Sequence, residues 1–226
     1  MAVFIPNIGE KEVLMDILTA SQLRLGLYKN QITPDGNTVF ATLTEVDTEA
    51  GGYATKDLVN VVVEDALTAS KWYVSTNASN KGQAQYGAVS TYEEWVFNAA
   101  DVANGDTAYG VMMWTLVLPF ASGGVEEPVA GDTLTGLVGG ATAIITHIRL
   151  KSGTWAGGDA VGDFCIKTQT GTFQSEGVKI VTNDVATITA DSEKRLIAVE
   201  AFTTGKLIET VGQKIQYTPI ITASTA

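Results

Sequence analysis

One histidine and one cysteine bound the nucleophilic and acid–base chemistry open to this chain. His147 lies in the alternating run Ile144-Ile145-Thr146-His147-Ile148-Arg149, and Cys165 sits between Phe164 and Ile166. By count a Ser-His-Asp or Cys-His pair stays open, but no serine occupies a Gly-x-Ser-x-Gly elbow. His147 is expected to be a strand residue at a surface, and Cys165 a small strand residue of low reactivity. So few thiolate and imidazole ligands cannot make a zinc site. Asp132, Asp159, Asp163 and Asp184 lie in Gly-rich turns and are candidate calcium ligands. They follow no EF-hand or calcium nonapeptide pattern, and Gly-Asp is ordinary turn chemistry. Glu93-Glu94 and Glu126-Glu127 are adjacent in sequence, so on strands their carboxylates point to opposite faces and cannot flank a glycosidic bond. No Gly-x-Gly-x-x-Gly or phosphate-binding loop follows any strand signal. The sequence thus assigns no catalytic, cofactor or metal residue, and the chain is expected to be non-enzymatic.

The remaining chemical candidates are two aromatic residues in a repeated phrase. Ser152-Gly153-Thr154-Trp155 recurs eighteen residues later as Thr170-Gly171-Thr172-Phe173. Each copy leads through a Gly-containing turn into a short strand. Matched aromatics in a short repeat are expected to pack a repeated core layer. The alternative is a ligand platform, with Trp155 and Phe173 stacking on a sugar.

The elements that position these residues are mostly strands. Charged residues make up only 17% of the 226, while Gly and Thr abound, which favours strands and tight turns over helices. The balance of 25 acidic against 14 basic residues gives a net charge of −11 and argues against nucleic-acid or anionic-membrane partners, which need clustered Lys and Arg. A single cysteine allows no internal disulfide framework. No signal peptide is visible, and the longest apolar run, 111–120, is too short to span a bilayer as a helix.

One helix is predicted, near the N-terminus. Asn7 is its candidate N-cap and Glu10 the capping-box partner, with Val13, Leu14, Ile17 and Leu18 at helical spacing. That apolar stripe closes the bottom of its own domain or docks as an arm on a neighbouring subunit. Leu23, Leu25 and Leu27 alternate with Arg24, Gly26 and Tyr28, which predicts a half-buried strand. Thr33-Pro34-Asp35-Gly36-Asn37 is a turn. Further strands are expected over 60–64, 71–75, 83–90 and 93–98.

The segment 107–118 is apolar on both faces, with Val111, Met113 and Val117 on one and Met112, Trp114, Leu116 and Leu118 on the other. Such a strand is central in a sandwich or covered by another subunit. Leu196–Phe202 and Lys214–Ile220 read as a closing hairpin. The texture changes after Phe120 and returns near Lys194. The expected architecture is all-β: an antiparallel, jelly-roll-like β-sandwich host formed by 1–121 plus 193–226, with a short N-terminal helix. A small β-barrel or β-sandwich module, 122–192, is inserted into it, since loop closure penalises such insertions only weakly.

Several strand and turn phrases resemble a group of tailed-bacteriophage virion proteins. They are Leu25-Gly26-Leu27-Tyr28-Lys29-Asn30-Gln31-Ile32-Thr33-Pro34, then Phe40-Ala41-Thr42-Leu43-Thr44-Glu45, then Gly52-Tyr53-Ala54. Tyr109-Gly110 and Tyr217-Thr218-Pro219 match further phrases of that group. The Gly-Asp-x-Leu-x-Gly, Gly-Ala-Thr-Ala and Ser-Gly-Thr-Trp phrases are similar to small β modules of phage structural proteins. The resemblance implies a virion component, first a capsid decoration (cement) protein bound to the major capsid protein. The alternative is a tail or head-fibre accessory protein with a receptor- or carbohydrate-binding module. It also implies a homo-oligomer, a trimer by symmetry, synthesised in the host bacterial cytoplasm. The assembly contacts expected on this view are Val13, Leu14, Ile17, Leu18, Met112, Trp114 and Leu116.

Overall fold

A computed structural model describes residues 14–15, 17–19, 22–48, 52–59, 62–64, 72–75, 83–86, 93–124 and 126–222. Asn7, Glu10 and Val13 fall outside them. The fold is all-β, mostly antiparallel and sandwich-like. Its described residues fall into two compact units. The first draws on Met1–Thr19, Leu23–Trp114 and Leu196–Ala226; the second on Thr115–Arg195 with Ala20–Gln22.

In the first unit, β1 (Arg24–Tyr28) lies antiparallel between β2 (Lys56–Asp57) and β7 (Thr107–Ala121). β13 (Glu193–Leu207) also pairs with β7. A second sheet has the order β15 (Ile220–Thr222), β5 (Gln83–Tyr86), β4 (Trp72–Ser75), β3 (Val62–Glu64), in which only β3 and β4 run parallel. A third pairs β6 (Glu93–Val96) with β14 (Lys214–Tyr217). The expected hairpin of 196–202 with 214–220 is therefore replaced: Lys214–Tyr217 pairs with β6, while β13 runs on to Leu207 and pairs with β7.

The main core of this unit packs Leu25, Leu27, Val111 and Met113 against Trp72, Val74, Trp95 and Ile215. Leu14 and Leu18 are helical and join it. A smaller cluster of Tyr28, Leu43, Met112 and Trp114 covers the opposite face. This doubling explains why the stretch 108–114 is apolar on alternate and intervening positions alike. It also corrects the half-buried reading of β1, because Tyr28 is as buried as Leu27.

The phrases around Asn30, Glu45 and Tyr53 are structural. Asn30 donates to the Thr42 carbonyl and accepts from the Thr44 amide, stapling the segment that follows. The Tyr53 hydroxyl accepts the Leu27 amide at 2.8 Å and donates to Glu45 at 3.2 Å. Asp101, in the capping box of the short helix Ala99–Asn104, takes the Tyr53 amide. A Cβ at position 52 would fall 2.3 Å from that carboxylate, so only glycine fits there.

The second unit is a closed barrel. Around its ring run the end of β7, β10 (Val161–Thr170), β9 (Thr142–Ser152), β8 (Thr133–Gly136), β11 (Gly177–Ile180), β12 (Asn183–Ile188) and β7 again. Every neighbouring pair is antiparallel. Closure leaves this small sheet no edge to protect. Leu116, Leu118 and Phe120 from β7 point into its core with Phe164, Ile166, Leu134, Val178 and Ile188. The division falls at Thr115 and Arg195 rather than at the expected 122 and 192. The reason is physical: a barrel needs a sixth strand, and the continuous strand β7 supplies it.

Candidate functional site

The repeated phrase closes the barrel. Trp155 lies in the β9–β10 connection and Phe173 in the β10–β11 connection, so the two aromatics enter from opposite ends of β10. Both belong to the barrel core, with 6% and 1% of their surfaces exposed. Trp155 stacks on Phe120 at 5.2 Å, and Phe120 on Phe164 at 4.3 Å. In each copy the glycine before the Thr-aromatic pair adopts left-handed φ, 72° at Gly153 and 70° at Gly171. L side chains avoid that region, which accounts for the glycine in each copy. An aspartate then fixes each turn: Asp159 accepts the Thr154 amide, and Asp191 the Phe173 amide. A platform for sugar stacking at Trp155 and Phe173 is thereby corrected, because the rings are consumed as end plugs.

Two further carboxylates hold the barrel. Asp163 is fully buried on β10, yet Lys151 reaches one oxygen at 2.8 Å and Arg195 the other at 2.6 Å. Burial pushes its pKa up; the hydrogen bonds from Arg195 and Lys151 outweigh that and hold it below the usual aspartate value. Glu176 is buried beside the β8–β9 turn and accepts the amides of Val138, Gly139 and Gln174. Burial again raises its pKa, and the backbone donors win, leaving it depressed.

At the end of the barrel that Trp155 plugs, antiparallel topology gathers the β7–β8, β9–β10 and β11–β12 connections. Ile180 pairs with Asn183, so Val181 and Thr182 form a two-residue hairpin loop. Val181 takes φ 54°, a conformation that its branched Cβ resists, and is 83% exposed. Asn183 donates to Glu126 at 2.6 Å, tying this hairpin to the β7–β8 connection, where Val129 is 61% exposed. Two apolar side chains thus stand in water on turns held by polar bonds. Sequence reasoning missed them, because isolated valines between turn residues carry no periodic signal.

The other expected site residues lie elsewhere. Leu14, Leu18, Met112, Trp114 and Leu116 are buried in the chain's own cores and have no surface left for a second copy. Of the described arm residues, Ile17 is exposed, at 38%. Val13 lies outside the described residues. His147 and Cys165 are cross-strand partners between β9 and β10, but His147 is exposed while Cys165 is buried. Among the described residues no group of three or more His, Cys, Asp or Glu is placed to hold a metal. Nor is any described helix long and apolar enough to cross a membrane. No protein-family model, curated protein or solved structure matches this chain.

Proposed function

We propose that this chain is a structural protein of a tailed-bacteriophage particle, a decoration protein that binds the capsid exterior through the Val129–Val181 end of its barrel. The observation that carries the reading is Val181. A β-branched residue at positive φ costs about 1–3 kcal/mol, and here the strained residue is displayed to solvent rather than packed. A turn selected for stability alone would carry glycine or asparagine there. Exposed apolar residues on turns pinned by hydrogen bonds suit a contact that must form without reorganisation. The phrase-level resemblance to virion proteins supports the particle as the setting and the major capsid protein as the partner. The trimer and the virion location rest on that resemblance.

The alternative, a tail or head-fibre protein with a receptor module built on Trp155 and Phe173, is disfavoured by the burial of both rings. Particles assembled without this protein are expected to lose heat resistance, and adding it back is expected to restore it. Particles of unchanged composition and unchanged heat resistance would sink the decoration reading.

A further inference from the structure

In the first unit, β13 has an unpaired edge and little cover on either face. Among the described strands it pairs with β7 alone. From Glu200 to Leu207 no residue is buried: Phe202 and Gly205 are half-buried and the rest are exposed. Free edges of this kind are usually guarded by charge, proline or a bulge. The run Ala201-Phe202-Thr203-Thr204-Gly205 carries neither charge nor proline, and the residues that flank it, Glu200 and Lys206, are opposite in sign.

The phase of the ladder shows what that edge offers. The Ile208 amide donates to the Asp106 carbonyl beside β7 at 2.9 Å. Backbone groups alternate between the two edges of an antiparallel strand. Those of Phe202, Thr204 and Lys206 therefore face β7, and those of Ala201, Thr203 and Gly205 face outward. The Leu207 carbonyl, next in the outward set, accepts from the Gln213 side chain at 2.7 Å. Outside the ladder with β7, Ala201, Thr203 and Gly205 make no hydrogen bond to any described residue. Nor do the flanking charges form an ion pair with a described residue: Glu200 accepts the Tyr217 hydroxyl, and Lys206 Nζ lies 4.7 Å from the centre of the Phe202 ring.

This edge is complementary to itself. With a two-fold axis at Thr203, Thr203 meets Thr203 of a second copy, Ala201 meets Gly205, and the outward amides and carbonyls bond each other. The same register sets Glu200 opposite Lys206 twice. We infer that β13 pairs with β13 of a second copy, antiparallel about Thr203, so that one sheet runs through two chains. A net charge of −11 on each chain opposes unspecific association, so the two Glu200–Lys206 contacts select the register. The contact is isologous, unlike the heterologous surface that a trimer requires, and it is independent of the capsid reading.

The test is sedimentation velocity on the full chain from about 1 to about 500 µM, with hydrogen exchange measured at both ends of that range. Mass is expected to double with concentration, with Kd of about 100 µM or tighter, and exchange to slow at the Ala201, Thr203 and Gly205 amides. Glu200→Lys and Lys206→Glu each set like charges opposite one another twice, and each is expected to weaken the dimer about tenfold or more while the dilute protein melts as the parent does. Mixed in equal amounts, the two variants are expected to restore the dimer, because each supplies the charge that the other reversed. Thr203→Pro removes an outward amide and spares the ladder to β7, and it is expected to abolish pairing. A parent that stays monomeric across the range overturns the inference. So does an oligomer that ignores these variants, a mixture of the two charge variants that stays apart, or a dimer in which the three amides exchange as in the monomer.

Discussion

The two units differ in which polar groups burial and its neighbours shift: carboxylates downward in the barrel, phenols upward in the host. In the barrel the buried groups are carboxylates, Asp163 and Glu176, satisfied by cations or backbone amides and held ionised. In the host unit the buried carboxylate Asp101 takes the Tyr53 and Asn98 amides, and the groups whose titration shifts most are phenols. Tyr53 is buried beside Glu45, and Tyr217 donates to Glu200 at 2.8 Å. Burial, followed by the neighbouring carboxylate, raises both phenol pKa values far above the ordinary one. Lys29, held by Asp47 and Asp106, is raised as well. The lowered carboxylate of the host unit, Glu94 against Lys214 and Gln216, lies at the surface and contributes little.

Linkage gives this contrast a sign. A carboxylate depressed in the folded state contributes stability above its unfolded pKa, about 4, and loses it as pH falls through the folded value. A phenol raised in the folded state keeps its stability below its unfolded pKa, about 10, and loses it as pH rises towards the folded value. The barrel is therefore the acid-sensitive unit and the host the alkali-sensitive one. Trp155 is the barrel's tryptophan, while Trp72, Trp95 and Trp114 belong to the host, so emission separates the two.

The strongest blow to the contrast is Phe164→Ala. It opens a cavity beside Phe120 and Trp155 and is expected to cost about 3–5 kcal/mol. Denaturant titration should show Trp155 emission changing before that of the host tryptophans; a simultaneous change would make the two cores one cooperative body. Asp163→Asn comes next, at about 3 kcal/mol at pH 7, because Arg195 and Lys151 lose their shared counter-ion. Its deficit against the parent should start to shrink as pH falls below about 4 and disappear once pH passes the lowered folded value, where protonation removes the same charge from the parent. A deficit that persists unchanged at low pH would mean the aspartate acts through shape alone. Tyr53→Phe is smaller, about 1–2 kcal/mol, since the buried Leu27 amide loses its acceptor. That variant should also flatten the fall in stability above pH 10. Val181→Gly has the opposite sign: strain relief exceeds the added freedom of the unfolded chain, for a gain of about 1 kcal/mol in thermal or denaturant melts.

Alternation and turn chemistry made the strands legible. The paired faces of 107–118, the Pro34-Asp35 turn and the module after Phe120 all follow from residue type at short range. The doubled phrase was visible as a repeat with its aromatics expected to pack, but nothing local says that one copy plugs each end of a barrel. That follows from β10 running between the two phrases, a matter of sheet order. Strand partners were likewise hidden: Lys214–Tyr217 pairs with Glu93–Val96, more than a hundred residues away in sequence, rather than with the nearer β13. The apolar stripes at Leu14, Leu18, Met112 and Trp114 announced burial but left open whether the same chain or another covers them; the chain's own cores take them, a choice that periodicity does not encode. The exposed valines left no pattern at all.

The proposed capsid contact turns on those valines, and one measurement addresses the proposal directly: binding of the purified protein to phage capsids assembled without it, for the parent and for Val129→Ser combined with Val181→Gly. The parent is expected to saturate the shells at a fixed ratio. The variant should bind at least tenfold more weakly, the loss of about two buried valine contacts, while melting no lower than the parent. A stable variant that decorates shells as well as the parent, or a parent that does not bind them, would contradict the account.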